Sequence, residues 1–444
     1  ISGVSMDGGG FFYPNPLESM GQHQRQPWFG CACCPSNICR FLPSLPGYVY
    51  AVKGKNLYVN LFLSNTSRVN LAGKAVSISQ NTQYPWNGDI AIIINENKAG
   101  QFALKIRIPG WVKGHPVPSD LYEYTDNKRT NYKITVDGKQ VPATLTPDGY
   151  YTISRKWEKG DRVEVHFDME AHIVRANNKV VADRGQVAIE RGPVVYCAEW
   201  PDNSFNIMNV LLNQTPQFTS GVIPDRQFIA DSLKQKLTLY KTQNLTTLTT
   251  QAQTLAYDKT GNLTVQNVNL KLIPYFAWCQ RGSGNMKVWI PQDLKAVRPA
   301  VPATLASLSK IASSTPSRSL SSISDGLVPS DENDRSIPYF HWWPKQGTTE
   351  WITYTFPEER TIQTSTVYWY DDQPWGGCRV PENWNIQYRD NENHWQNIKH
   401  ADHYPTLKGQ PCRVQFDPVK TKAVRINVKQ PEKFSCGLFE WSVN

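Results

Sequence analysis

The sequence predicts a mainly β protein made of tandem sandwiches, on three observations. Charged residues are only 19% of the chain, too few to clothe many amphipathic helices, whereas Trp, Tyr, Thr, Asn, Pro and Gly are plentiful. Apolar residues alternate with period two in stretches such as YVYAVKGKNLYVNLFL and GDRVEVHF, bounded by turn residues. At 444 residues the chain exceeds what one core holds and should divide into about three domains of roughly 100–200 residues.

The elements follow in chain order. Residues 1–46 open with ISGVSMDGGGFFYPNPLES and lead into WFGCACCPSN. Pro35 suits the first helical position, where a missing N–H costs nothing, and Ile38, Phe41 and Leu42 then share one face of a short helix ending near Pro46. From Gly47 the period changes to two. Lys53-Gly54-Lys55-Asn56 and Asp137-Gly138 read as hairpin turns, Val163, Val165 and Phe167 point one way, and residues 47–215 are expected to form a β-sandwich. Residues 216–300 mix a helical pattern, DRQFIADSLKQKL, with strands and predict a smaller β-rich unit. Residues 301–333 are rich in Ser, Ala and Pro and read as a linker. Beyond them EWITYTF, STVYWYD, NWNIQYRD and KAVRINVKQ are short strands at regular spacing, which predicts a separate sandwich over 334–444.

The formal charge of +9 is spread along the chain without a run of five Lys or Arg, so no nucleic-acid partner is expected. No apolar run approaches the roughly 18 residues of a membrane span. The first residue is Ile1 and no charged leader precedes an apolar stretch, so the chain reads as a processed or partial product.

Four of the nine cysteines, Cys31, Cys33, Cys34 and Cys39, lie close together at the start of the expected helix. Thiolates are the nucleophiles and metal ligands among cysteine species, and the partial positive charge of a helix N-terminus favours them. Vicinal cysteines resist bridging each other. CxCC is not a pair of CxxC knuckles, so a metal here would need ligands from elsewhere. On the residues alone three readings stay open: buried packing, a structural metal site, or a reactive thiol. The scattered Cys197, Cys279, Cys378, Cys412 and Cys436 read as small buried side chains, with a bridge from Cys378 to Cys412 or Cys436 as the alternative.

GVSMDGGGFFYPNPLES followed by PWFGCACCPSN resembles the zinc-dependent, cysteine-nucleophile β-L-arabinofuranosidases of glycoside hydrolase families 127 and 146. ERGPVVYCAEW (190–200) and LIPYFAWCQRGSGNMKVWIP (272–291) are similar to segments of the β-sandwich domains of the same enzymes, so the likeness runs from residue 1 to about 300. It implies that 1–46 is the C-terminal tail of an (α/α)6 catalytic barrel and that Zn2+ is the cofactor. Cys33 would be nucleophile and zinc ligand, Cys34 a second ligand, and Tyr13 a substrate contact. Cys31 and Cys39 match no ligand role. The family's Glu-x-Cys zinc motif and its acid/base Glu match nothing in this chain. Cys197-Ala198-Glu199 has the order reversed and reads as core. The resemblance therefore implies a partner, the N-terminal half of the same enzyme, as a separate chain or a cleaved piece.

The implied activity is that of a retaining glycosidase acting on terminal β-L-arabinofuranosyl linkages of plant-type glycans, with a thioglycosyl-enzyme formed on Cys33 and then hydrolysed. Such an enzyme would be exported, to a periplasmic or extracellular location. The alternative is a non-catalytic carbohydrate-binding or structural multi-sandwich protein with a structural Cys/zinc site.

HWWPKQGTTEWITYTFPEE and YWYDDQPWGGCRVPENWNIQYRD resemble the discoidin-like jelly roll, a galactose-binding fold. Sugar rings stack on exposed aromatic faces, and His341, Trp375 and Arg379 are the loop residues implied for sugar binding. The competing reading is that the tryptophans between Trp342 and Trp395 fill the core, with Trp351 inward. His400 and His403 are metal ligands by spacing or solvated loop residues, and Asp371-Asp372 either caps a turn or binds calcium. Sequons at Asn65, Asn213, Asn244 and Asn262 matter only where the source glycosylates exported proteins.

Overall fold

The computed structural model describes residues 3–31, 33–126, 130–141, 144–229, 243–317 and 319–444, with the backbone alone at Cys34. Contacts divide the chain into two units. One comprises Ile1–Ser19, His23–Leu255 and Val265–Pro299, the other Met20–Gln22, Ala256–Thr264 and Ala300–Asn444.

The first unit opens its β structure with a two-sheet sandwich. One sheet orders Lys139–Gln140, Tyr132–Val136, Arg162–Phe167, Asp89–Asn97, Lys74–Thr82 and Asn65–Leu71; the other orders Thr144–Leu145, Tyr150–Lys156, Gln101–Arg107, Asn56–Val59 and Tyr50–Lys53. Alternation determines which side chains meet between them. Val163, Val165 and Phe167 are buried against Ile92, Leu104 and Ile106, while Arg162, Glu164 and His166 face outward. Both expected hairpins form. Gly54 sits at φ +60°, and Asp137 and Gly138 at φ +50° and +74°, the left-handed pair that a tight two-residue turn requires.

A third sheet draws most of its strands from Ala171 onward, with the earlier Tyr122–Tyr124 at one edge. Its main path is Val210–Leu212, Asn244–Tyr257, Leu263–Pro274, Val194–Glu199, Gln186–Arg191, Ala171–Ala176 and Tyr122–Tyr124. This sheet runs across the boundary expected at 215/216. Tyr196, Cys197 and Ala198 pair with Pro274, Ile273 and Leu272, because two fully apolar runs bury each other across a gap that no local signal spans. Of the helical pattern DRQFIADSLKQKL only the turn Asp225–Phe228 and Ile229 are described; the rest lies outside the described residues.

In the second unit the strand Thr349–Tyr370 runs through both EWITYTF and STVYWY and pairs with Cys412–Lys429 and Gly437–Val443. The stretch 301–333 differs from a linker. Lys310–Ser313 adds a strand against Thr349–Tyr370, and Ala306 and Ile323 are fully buried. Its few apolar residues are widely spaced among serines, so composition hides them. Trp351 also differs from expectation. Ile352 and Tyr354 enter the core, leaving Trp351 on the opposite face, half-buried beneath the Arg425 guanidinium 4.7 Å from its ring. Trp342, Trp369 and Trp384 are core residues.

The helix Cys33–Ser44 begins two residues before Pro35, which still falls among the first-turn N–H positions that lack a helical acceptor. Its expected apolar face is uncovered in this chain: Phe41 and Leu42 are 42% and 47% exposed. Among the described residues no helix is long and apolar enough to cross a membrane.

Candidate active site

The stretch that leads to the cysteines is held by residues more than 200 positions away. Phe12 stacks on Trp278 with centroids 4.8 Å apart, Arg25 covers Phe12 at 4.5 Å, and Arg25 Nη1 donates to the Trp278 carbonyl. Tyr275 donates its hydroxyl to the Pro16 carbonyl, and Lys287 pairs with Glu18 at 3.1 Å. Burial lowers the Lys287 ammonium below its ordinary value, against the pull of Glu18. FFYPNPLES and LIPYFAWCQRGSG are therefore neighbours in space.

Cys279 completes this platform. It holds φ +56°, an uncommon conformation for a residue with a side chain, and its N–H donates to the buried Glu199 carboxylate at 2.7 Å. Its thiol donates to the His23 carbonyl, and burial raises its pKa. Glu199, 1% exposed, is bound by Arg281 and belongs to the core, as its place in Val194–Glu199 implies.

From the platform the chain passes Trp28 and Phe29 to the cysteines. Tyr13, 55% exposed, meets Phe29 edge-on at 5.5 Å, which brings it to the approach of the cysteine turn. Cys33 is the first residue of the helix and is exposed, and its carbonyl accepts from Ser36 Oγ. Cys31, also exposed, places its Sγ 3.8 Å from that of Cys33. Cys39 is exposed farther along the helix. The cysteines beyond this cluster, at 197, 279, 378, 412 and 436, are buried thiols outside any disulfide, so they pack rather than bridge.

Zinc is tested by this donor set. The two thiols that the resemblance assigns to zinc, Cys33 and Cys34, are the first two residues of the helix. The donors are soft and at a helix start, so their chemistry fits. Among the described residues no group of three or more His, Cys, Asp and Glu stands ready to close a full coordination shell.

In the second unit, His341 lies on the short strand Phe340–His341 and lines a cavity of about 190 Å³ with Tyr339, Trp343, Tyr370 and Asp372. Burial lowers the His341 pKa. Trp375, 94% exposed, sits within the loop 371–378. Arg379 is turned inward: it bonds Asp372 at 3.2 Å and the Cys378 carbonyl, and lies 4.3 Å over the Phe434 ring. It braces the loop from beneath. Asp371 and Asp372 act as turn caps, accepting from the N–H groups of Gln373 and Cys378. His400 pairs with Asp417 on the surface. Tyr339, Trp343 and Tyr370 escaped sequence reasoning, although Tyr339, His341 and Trp343 recur with period two in YFHWW.

Comparison with known proteins places these segments. Residues 1–47 match the β-L-arabinofuranosidase GH127 catalytic domain, 56–169 the GH127 middle domain and 171–291 the GH127 C-terminal domain. Over residues 1–291 the chain belongs to glycoside hydrolase family 127. The boundary between the middle-domain and C-terminal-domain matches falls between the strands Arg162–Phe167 and Ala171–Ala176. A non-reducing end β-L-arabinofuranosidase from Bifidobacterium longum subsp. longum is 30% identical over 313 residues, 65% of this chain and 43% of that protein. A solved GH127 β-arabinofuranosidase is 53% identical with a TM-score of 0.62, covering 68% of this chain and 45% of that one. A GH127 β-L-arabinofuranosidase from Geobacillus stearothermophilus T6 is 31% identical with a TM-score of 0.54, over 65% and 44%. The chain thus spans less than half the length of these family-127 relatives. Residues 331–426 match a NedA-like galactose-binding domain.

Proposed function

We propose that this chain is part of a retaining β-L-arabinofuranosidase with Cys33 as nucleophile, acting on arabinose-containing plant-type glycans. The observation that carries the reading is an exposed Cys33 thiol at the first position of a helix, inside the stretch matched to a catalytic domain. The Cys33 sulfur attacks the anomeric carbon, a C–S bond forms as the glycosidic C–O bond breaks, and water then displaces the sulfur with the configuration retained overall. Tyr13, beside Phe29 at the approach to the turn, contacts the sugar. Cys33 and Cys34 would hold Zn2+, which when bound keeps their sulfurs deprotonated.

The acid/base carboxylate and the other metal ligands are assigned to the N-terminal half of the same enzyme. Relatives more than twice as long support this, as does the exposed apolar surface of Tyr13, Leu17, Trp28, Phe41, Leu42 and Tyr48. The galactose-binding domain serves to hold the enzyme on its glycan, with His341 and Trp375 as sugar contacts and Arg379 as their brace. A glycan substrate outside the cytoplasm supports an exported, periplasmic or extracellular enzyme.

The test is hydrolysis of an aryl β-L-arabinofuranoside by the chain together with its N-terminal half. Cys33→Ala is expected to abolish turnover, and Cys34→Ala to lose zinc, read by metal analysis. Near wild-type turnover by Cys33→Ala would overturn the assignment.

A further inference from the structure

We propose that Cys31 and Cys33 form a reversible disulfide, with Cys31 as the resolving thiol. The resemblance that gives Cys33 its role leaves Cys31 without one, yet the two sulfurs are in contact at 3.8 Å and both residues are exposed. A disulfide needs the sulfurs near 2.05 Å and the Cα atoms about 4.4–6.8 Å apart, so small side-chain rotations close the remaining gap.

Backbone geometry selects the partner. Adjacent Cα atoms across a trans peptide are about 3.8 Å apart, below that window, which disfavours Cys33–Cys34. Residues two apart reach roughly 5–7 Å, which overlaps it. Cys39 lies six positions along the same helix from Cys33, a rise of about 9 Å, which is beyond it. The other cysteines are buried in the sandwiches and the platform.

The oxidant is a peroxide. The Cys33 thiolate attacks the O–O bond, giving a sulfenic acid and releasing hydroxide. The Cys31 thiolate then attacks that sulfur, forming the S–S bond and expelling the oxygen as water. Overall the two thiols lose two electrons and two protons, and the peroxide becomes two waters. A small dithiol returns both electrons. The bridge protects Cys33 from irreversible oxidation. Its further consequence, an enzyme switched off while the nucleophile is masked, rests on the assignment of Cys33 above; the thiol chemistry does not.

The experiment treats the intact chain with hydrogen peroxide, alkylates the remaining thiols and reads the tryptic peptide 26–40 by mass. Wild type, Cys34→Ser and Cys39→Ser are each expected to carry two fewer alkyl groups than the untreated chain and to lack two further hydrogens, about 2 Da, reversibly with dithiothreitol. Cys31→Ser is expected to show no bridge and to carry Cys33 on to the sulfinic acid. A bridge forming as readily in Cys31→Ser, its loss in Cys34→Ser, or oxygen uptake without a bridge in wild type would each overturn the proposal. The readout is covalent mass, so it is independent of whether Cys33→Ala abolishes hydrolysis.

Discussion

Arg281 holds the carboxylate of Glu199 at 2.6 Å, with Glu199 1% exposed. The same guanidinium reaches Asp202 and covers the Phe228 ring. Replacing Arg281 by Met leaves a buried carboxylate without its cation. The expected cost is about 3–5 kcal/mol in urea denaturation. Because Glu199 also takes the Cys279 N–H, amide exchange should accelerate around Cys279 and Trp278. A loss below about 1 kcal/mol would show that the pair contributes little.

Glu190 supplies a pH dependence. Burial pushes its carboxyl up to about 7, and Tyr124 donates a hydrogen bond to it. The folded state therefore favours the neutral acid relative to the unfolded chain, and this contribution is fully present only below the unfolded value near 4.5. It is lost as pH rises through about 7. Glu190→Gln mimics the neutral form, so its Tm relative to wild type should be higher at pH 8 than at pH 5. An unchanged difference between the two pH values would refute this.

Two tryptophans in the galactose-binding domain should separate binding from stability. Trp384 is 3% exposed, donates its indole N–H to the Pro405 carbonyl and meets Trp369 edge-on. Trp384→Ala is expected to cost about 3–5 kcal/mol. Trp375, almost wholly exposed, should change stability by no more than about 0.5 kcal/mol when replaced by Ala. Affinity electrophoresis in galactose- and arabinose-containing polysaccharides should show weaker retention of Trp375→Ala. Unaltered retention on every polysaccharide that binds wild type would remove Trp375 from the binding face.

Gly88 lies against the backbone of Phe167, whose N–H donates to the Gly88 carbonyl at 3.1 Å. A Cβ there would collide with the Phe167 carbonyl, which the ladder fixes. Gly88→Ala should lower the unfolding midpoint sharply. Gly377→Ala has the Trp343 ring as its nearest contact, a half-exposed side chain that can turn aside, and should cost less. Equal losses for the two would contradict this reading.

Local signals carried much of the architecture. Alternation in Arg162–Phe167 and the turn at Asp137-Gly138 are properties of neighbouring residues, and both formed as read. Non-local pairing was not legible in the same way. Nothing around Cys197 announces Ile273 as its partner, or around Phe12 the Trp278 ring. Trp351 shows how narrow the margin is within a strand: period two has two phases, and the phase is set by burial of Ile352 and Tyr354 across the sheet. The cysteine motif pointed to Cys33, but only side-chain positions revealed that Cys31 touches it.

The tie between Glu18 and Lys287 also sets an order in time. The two residues are roughly 270 positions apart, and at about 5–20 residues per second a ribosome needs on the order of 15–50 seconds to pass from one to the other. The stretch from Phe12 to Arg25 is therefore made well before the residues that hold it. A chain interrupted ahead of Trp278 and Lys287 would leave that stretch without its stacking partner and its ion pair.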